Sequence, residues 1–310
     1  MMNPIIEVTH LSKQFADVLA VDDISFTVNT GDVYGFLGQN GAGKSTTIRM
    51  LLTLVKPTNG QIKIFSKDLL HNRKEILRQT GAIIERPDLY KYLSAYDNLS
   101  IFAKLSGVKI NRKLIMDHLG SVGLADRSNS KIKTFSQGMK QRLGIAVALV
   151  HDPKLIILDE PSNGLDPQGI ADMRNLILQL KEKGKTVLIS SHLLNEIELI
   201  ANRMIIIHKG KKIVEGNVAE LLDPADTVIK IETTDDITAR KKIAGSSFMN
   251  HLQPDQNGIR FKMNKHHMPA LIQFLSEEGL GILSIQPRHS LEDYFISLTN
   301  TEIHVDPAKN

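Results

Sequence analysis

Cysteine is absent from the 310 residues, so neither disulfides nor thiol chemistry can contribute. Tryptophan is absent as well, and the remaining aromatics are 10 Phe and 5 Tyr. That leaves few platforms on which single-stranded nucleic acid could stack. The net charge of +4 is a weak excess over this length and does not argue for a nucleic-acid partner. Long apolar runs are missing too. The longest, Leu143 to Val150, falls far short of the ~20 residues that span a bilayer. The chain is therefore not expected to cross a membrane by itself. Met1 to His10 holds no signal-peptide apolar core. The rest is ordinary: 42% hydrophobic and 23% charged residues suit one large or two smaller globular domains.

What is present centres on Gly38-Gln39-Asn40-Gly41-Ala42-Gly43-Lys44-Ser45-Thr46. This fits G-x-x-x-x-G-K-[ST], the phosphate loop of nucleoside triphosphatases. Glycines let the backbone curl so that successive N–H groups face phosphate oxygens. Lys44 supplies a mobile charge for the β- and γ-phosphates, and the Ser45 hydroxyl suits Mg²⁺. Asp32 to Leu37 reads as a buried strand before the loop, and Ile48, Met50, Leu51, Leu52 and Leu54 as a helix ending near Pro57. Strand, glycine loop and helix are the context the motif needs. A merely flexible glycine turn is the competing reading.

Around that loop the pattern alternates. Ile5–Thr9, Val18–Val21 and Ile24–Val28 read as strands of an antiparallel flap, and Gln61–Phe65 as a further strand. Leu69–Gln79 is expected to be helical and Gly81–Ile84 a buried strand. Residues 88–151 read as a helical subdomain, with Ser94 to Asp97 a capping box and Gln137–Val150 a helix stopped by Asp152-Pro153. Leu155–Leu158 is a central parallel strand, Asp166-Pro167 starts a helix that Gly184 ends, and Thr186–Ser190 is the next strand. Leu193–Ile200 is a helix, and Met204–Ile207 with Lys211–Val214 a hairpin. Strand and helix alternate as in a parallel-sheet α/β domain. After Asp223-Pro224 the order becomes βαββαβ, ferredoxin-like: Val228–Glu232, Ala239–Ala244, Phe248–Leu252, Ile259–Met263, Met268–Glu278 and Ile282–Gln286. Ser290-Leu291-Glu292-Asp293 caps a last helix, and residues 303–310 form a tail. The expected division is thus 1–222, 223–302 and that tail.

Two further stretches carry chemistry. Asp159-Glu160 follows a buried strand, where α/β sheets bind ligands. Asp159 suits Mg²⁺, and Glu160 suits a base that aligns water on a γ-phosphate. A surface acid pair capping the next element is the alternative. Ser136, Gln137 and Gly138 open the helix that ends at Val150, and a helix N-terminus bearing a hydroxyl is an anion site. The plainer reading is a helix cap.

With the phosphate loop, Ser136-Gln137-Gly138-Met139-Lys140-Gln141-Arg142 and Asp159-Glu160 in this order, the chain resembles the ATP-binding subunit of an ABC transporter. Residues 136–142 resemble the family signature L-S-G-G-Q, with Phe135 for Leu, Gln137 for the first Gly and Met139 for Gln. The resemblance covers about residues 4–300 and implies a P-loop ABC fold: a mixed sheet, an antiparallel flap and a helical subdomain. It implies ATP and Mg²⁺ as ligands. Phe15 matches an adenine-stacking aromatic, though a core Phe of a strand is the other reading. Asp166 matches the D-loop, and His192 the switch histidine that hydrogen-bonds the γ-phosphate. Glu85 stands where the family usually has Gln. Glu there, with Val33 to Gly38 and Ser290 to Phe295, resembles the bacitracin-resistance and lantibiotic-immunity exporter ATPases. The implied protein hydrolyses ATP as a head-to-tail dimer. Ser136 and Gly138 of one copy would meet ATP held by the other, powering peptide export through a separate permease. It would sit in the cytoplasm at the inner face of the cell membrane. An exporter of another substrate remains open. So does a soluble ABC ATPase of translation or DNA repair, although a single phosphate loop and no long heptad run count against that reading.

Overall fold

The computed structural model describes residues 3–222, 227–253 and 258–289, in two units that divide at Asn217/Val218. In the first unit, β1 (Pro4–Phe15) and β2 (Val18–Asn29) form a long bulged hairpin. β3 (Val33–Leu37), wholly buried, leads through the glycine loop into α1 (Lys44–Leu51). α1 stops at Leu51, short of Pro57, because Thr53 turns into the left-handed region (φ +58). β4 (Asn59–Ile64) and β5 (Lys67–Asp68) complete an antiparallel sheet of order β2-β1-β4-β5. This is the expected flap. Of Leu69–Gln79 only α2 (Arg73–Leu77) is α-helical. The Asp68 carboxylate takes the backbone N–H groups of Leu70 and His71 and holds a turn there instead.

β6 (Thr80–Ile84) precedes the helical subdomain of α3 (Ala95–Leu105), α4 (Arg112–Ser121) and α5 (Gln137–Leu149). Ser94 and Asp97 close the capping box reciprocally, as their spacing requires. Turns and two 3₁₀ segments, Ala125–Arg127 and Ile132–Thr134, separate the helices. Then come β7 (Leu155–Asp159), α6 (Pro167–Glu182), β8 (Thr186–Ser191), α7 (Leu194–Glu198), β9 (Arg203–His208) and β10 (Lys211–Asn217). Asp166 caps α6 by accepting from the Gly169 N–H, and Pro167 occupies its first turn.

The second sheet runs β10-β9-β3-β8-β7-β6, parallel except for the β9–β10 hairpin. Strand runs such as Leu155–Asp159 are buried throughout, as a sheet covered on both faces demands. Phe26, Ile62, Ile48, Leu51, Tyr34, Phe36 and Ile157 share one core, which joins the flap, α1 and this sheet. Arg203 donates to the Thr27 carbonyl and the Thr27 N–H donates to Glu215, which ties the flap to the sheet, while the buried Tyr34 hydroxyl donates to the same Glu215 within the sheet.

In the second unit α8 (Val218–Leu221) precedes β11 (Thr227–Thr233), α9 (Asp236–Ala244), β12 (Leu252–Gln253), β13 (Ile259–Met263), α10 (Met268–Glu277) and β14 (Ile282–His289). The sheet is antiparallel in order β12-β13-β11-β14, the ferredoxin-like arrangement. Ile229, Ile231, Phe261 and Met263 pack against Ile243, Leu271 and Leu275 of its helices. The expected strand Phe248–Leu252 is instead a 3₁₀ turn, Ser247–His251, with a two-residue strand after it. Ser246 caps that turn by accepting from Phe248 N–H, a local bond that wins over the apolar spacing. Asp223-Pro224, the Ser290 cap and the 303–310 tail lie outside the described residues.

Candidate functional site

Four neighbouring parallel strands, β3, β8, β7 and β6, run out directly into Gly38, His192, Glu160 and Glu85. A parallel sheet collects its chemistry at this edge. Beside β3, the first and last glycines of the loop are packed too tightly for a side chain. A Cβ on Gly38 would lie 2.7 Å from the Ile207 carbonyl oxygen. One on Gly43, at φ +104, would lie 2.5 Å from that of Ala20. Gln39 and Ala42 close the loop through the Ala42 N–H to Gln39 carbonyl bond, 3.1 Å, while Asn40 and Gly41 face solvent. Lys44, the first residue of α1, is only 5% exposed. Its ammonium donates to the carbonyls of Gly38 (2.6 Å) and Gln39 (3.1 Å) and lies 3.0 Å from Glu160 Oε1. Ser45 and Thr46 follow in the first turn, half-buried.

Asp159 ends β7 and is fully buried. Its Oδ1 accepts from Ser190 Oγ at 2.6 Å; that hydroxyl accepts in turn from the Glu160 N–H at 2.8 Å. Asp159 Oδ2 is buried with no partner. Glu160 adopts φ +48, a left-handed conformation costing ~1–3 kcal/mol for a non-glycine residue. The bend carries its carboxylate between Lys44 and His192, whose Nδ1 lies 2.8 Å from Glu160 Oε2. Lys44, Glu160 and His192 thus form one continuous chain of contacts, in which the loop cation, the carboxylate and the histidine come from three separate elements. Asp159-Glu160 is not a surface cap.

Phe15 lies at the tip of the β1–β2 hairpin, 43% exposed, with the Lys13 ammonium 4.7 Å from its ring centre. A core role is excluded. The same hairpin reaches the loop, since Ala20 on β2 is what Gly43 abuts. Glu85, at φ +57, is bound by Arg49 of α1: Nη2 donates to Oε1 at 2.6 Å.

Ser136, Gln137, Gly138 and Asp166 stand apart from this cluster. They line a cavity of about 330 Å³ with Met139, Arg142, Gly164, Leu165 and Asp172, and no phosphate-loop residue shares it. Ser136 caps α5, accepting from the Met139 N–H. One chain therefore carries two separate groups of candidate residues. Two residues escaped the sequence: Ser190, whose bridging role depends on strand register, and Arg49, whose partner is 36 residues away. An Arg one and a half turns into a loop-following helix was the available signal.

Fold and site together define a phosphate-loop nucleoside triphosphatase of α/β type. A family model described as "ABC transporter" matches residues 21–163. A bacitracin transport ATP-binding protein, BcrA of Bacillus licheniformis, is 43% identical over 300 residues, 96% of this chain and 98% of that protein. A lantibiotic transport ATP-binding protein, SrtF of Streptococcus pyogenes, is 42% identical over 210 residues, 68% of this chain and 90% of its own length. Among solved structures, cbiO1 from Clostridium perfringens, part of the ABC transporter complex cbiONQ, matches 70% of this chain and 90% of that one with TM-score 0.64 and 28% identity. The chain belongs to the family of ABC transporter ATP-binding proteins, and it is an ATPase.

Proposed function

We propose that this chain is the ATP-hydrolysing subunit of an exporter that moves an antimicrobial peptide of bacitracin or lantibiotic type through a separate membrane permease. Self-immunity or resistance is the outcome. The observation that carries the chemistry is the Lys44–Glu160–His192 chain. Phosphate oxygens offer Lys44 a stronger, charge-assisted partner than two carbonyls do. Glu160 then acts as the base that takes a proton from the attacking water. His192 donates Nδ1–H to Glu160 and, as an imidazolium with both nitrogens donating, can also offer Nε2–H to a γ-phosphate oxygen. Phe15 supplies the exposed ring on which adenine stacks.

The residues present fit Mg²⁺. Asp159 Oδ2 is an unpartnered buried carboxylate oxygen, and Ser45 lies in the first turn of the helix after the loop. Among the described residues no group of three or more His, Cys, Asp and Glu could hold a metal alone. The ion would thus be shared with phosphate oxygens and would offset their charge. Binding ATP at two half-sites calls for a second copy, head to tail, so that Ser136 and Gly138 of one face the loop of the other. No helix among the described residues is long and apolar enough to cross a membrane. The transport reading puts the chain at the inner face of the cell membrane, held by its permease. The substrate rests on full-length likeness to the bacitracin protein.

The test is co-expression, in a sensitive host, with a permease that co-purifies with this chain. Tolerance of bacitracin or a lantibiotic should rise and should vanish with Lys44→Ala. Tolerance that is unaffected by the active pair, against both peptides, overturns the substrate reading.

A further inference from the structure

α1 carries two cations, and each meets a carboxylate that leaves a neighbouring strand. Lys44 faces Glu160 at 3.0 Å; Arg49 donates to Glu85 at 2.6 Å. The two carboxylates form a matched set. β6 and β7 pair in parallel with Ile84 level with Asp159, so Glu85 and Glu160 are the first residues past adjacent strand ends. Strands so paired lie ~4.8 Å apart. Both residues adopt left-handed backbone, at φ +57 and +48. Asp159 adds a third carboxylate at the same edge.

Three carboxylates are a poor reception for a triphosphate unless cations balance them. Lys44 is already shared with Glu160 and the loop carbonyls, so Glu85 depends on Arg49. The pair is 42% and 60% exposed, and exposed pairs add little to stability. Its effect lies in where it puts charge and backbone. Beyond Glu85, the residues Arg86 to Leu89 form one wall of a groove of about 380 Å³ whose other side includes Gln137 and Lys140 of α5. Pro87 lies against Gly144 of α5, where a Cβ would come within 2.4 Å of it. One short segment thus touches the phosphate-loop helix at one end and the signature helix at the other.

We propose that Arg49 is a positioning residue for ATP hydrolysis: it neutralises Glu85 beside the phosphate site and anchors the segment after β6 to α1. This rests on the ATPase reading of the same site. The experiment compares the purified full chain with Arg49→Gln, Glu85→Gln and the double variant in steady-state hydrolysis. Arg49→Gln should raise KM for ATP about two- to fivefold, the range of a half-exposed charge contact. Adding Glu85→Gln should remove that rise, because the charge needing balance is gone. An unchanged KM in Arg49→Gln overturns the proposal. So does a defect equally large in the double variant, which marks a packing role. The pairing is also read without catalysis. The chain has no cysteine, so Arg49→Cys with Glu85→Cys makes the sole thiol pair, which a short bismaleimide should bridge within one chain. Failure to bridge overturns the contact. Absence of Lys44-dependent hydrolysis in the wild type would overturn the ATPase reading instead.

Discussion

Lys44 is the charge on which both its neighbours depend. Lys44→Ala removes the partner of phosphate and leaves the Glu160 carboxylate, 15% exposed, without its cation. ATP affinity measured by equilibrium titration should fall by about tenfold or more. Glu160→Gln keeps the shape but cannot take a proton. Hydrolysis should drop about a hundredfold or more while ATP binding survives. A steady-state rate assay beside a binding titration separates the two. Gly43 gives a backbone test. Gly43→Ala would place a methyl 2.5 Å from the Ala20 carbonyl at φ +104. The expected cost is about 2 kcal/mol or more in a denaturant titration, with loss of nucleotide binding.

Among the elements, those built by local chemistry were legible. The capping box at Ser94, the Asp166-Pro167 start and the all-apolar Leu155 strand follow from their residues, and the structure keeps all three. What misled was competition between short-range bonds and spacing. Ser246 claims the Phe248 N–H and makes a turn where alternation suggested a strand. Asp68 does the same before α2. At the site, motifs named the loop, Asp159 and Glu160, which lie at strand ends, and the family resemblance named His192. Ser190 and Arg49 were hidden because register and helix phase, not sequence neighbours, set their partners. The junction of α5 with β6 makes a pH prediction. Burial pushes the His151 imidazole below the usual histidine range, and its Nδ1 is buried without a partner. Burial lowers His118 of α4 likewise. The unfolded chain then binds more protons below pH ~6.5, so stability is full above that value and lost as pH falls through it. Urea midpoints should decline from pH 7.5 to 5.5, and less so in His151→Gln.

At the scale of the whole molecule, the chain divides at Asn217/Val218, and all residues of the ATP chemistry lie before that point. We expect a fragment ending near residue 222 to fold and bind ATP, with altered dimerisation or transport. Circular dichroism and nucleotide titration of the fragment check this; a folded fragment that cannot bind ATP would count against separability. A second consequence follows from the cavity of Ser136 and Asp166, which shares no residue with the phosphate loop. If work requires both sites of a head-to-tail pair to be sound, dosage becomes quadratic. In a cell making wild-type and Lys44→Ala chains equally, random pairing gives only a quarter of assemblies with both sites sound. A defective allele would therefore be partly dominant. Mixing Lys44→Ala with Ser136→Ala chains tells the arrangements apart: a wall shared between copies leaves one sound site in each mixed pair, whereas a site completed within one chain leaves none.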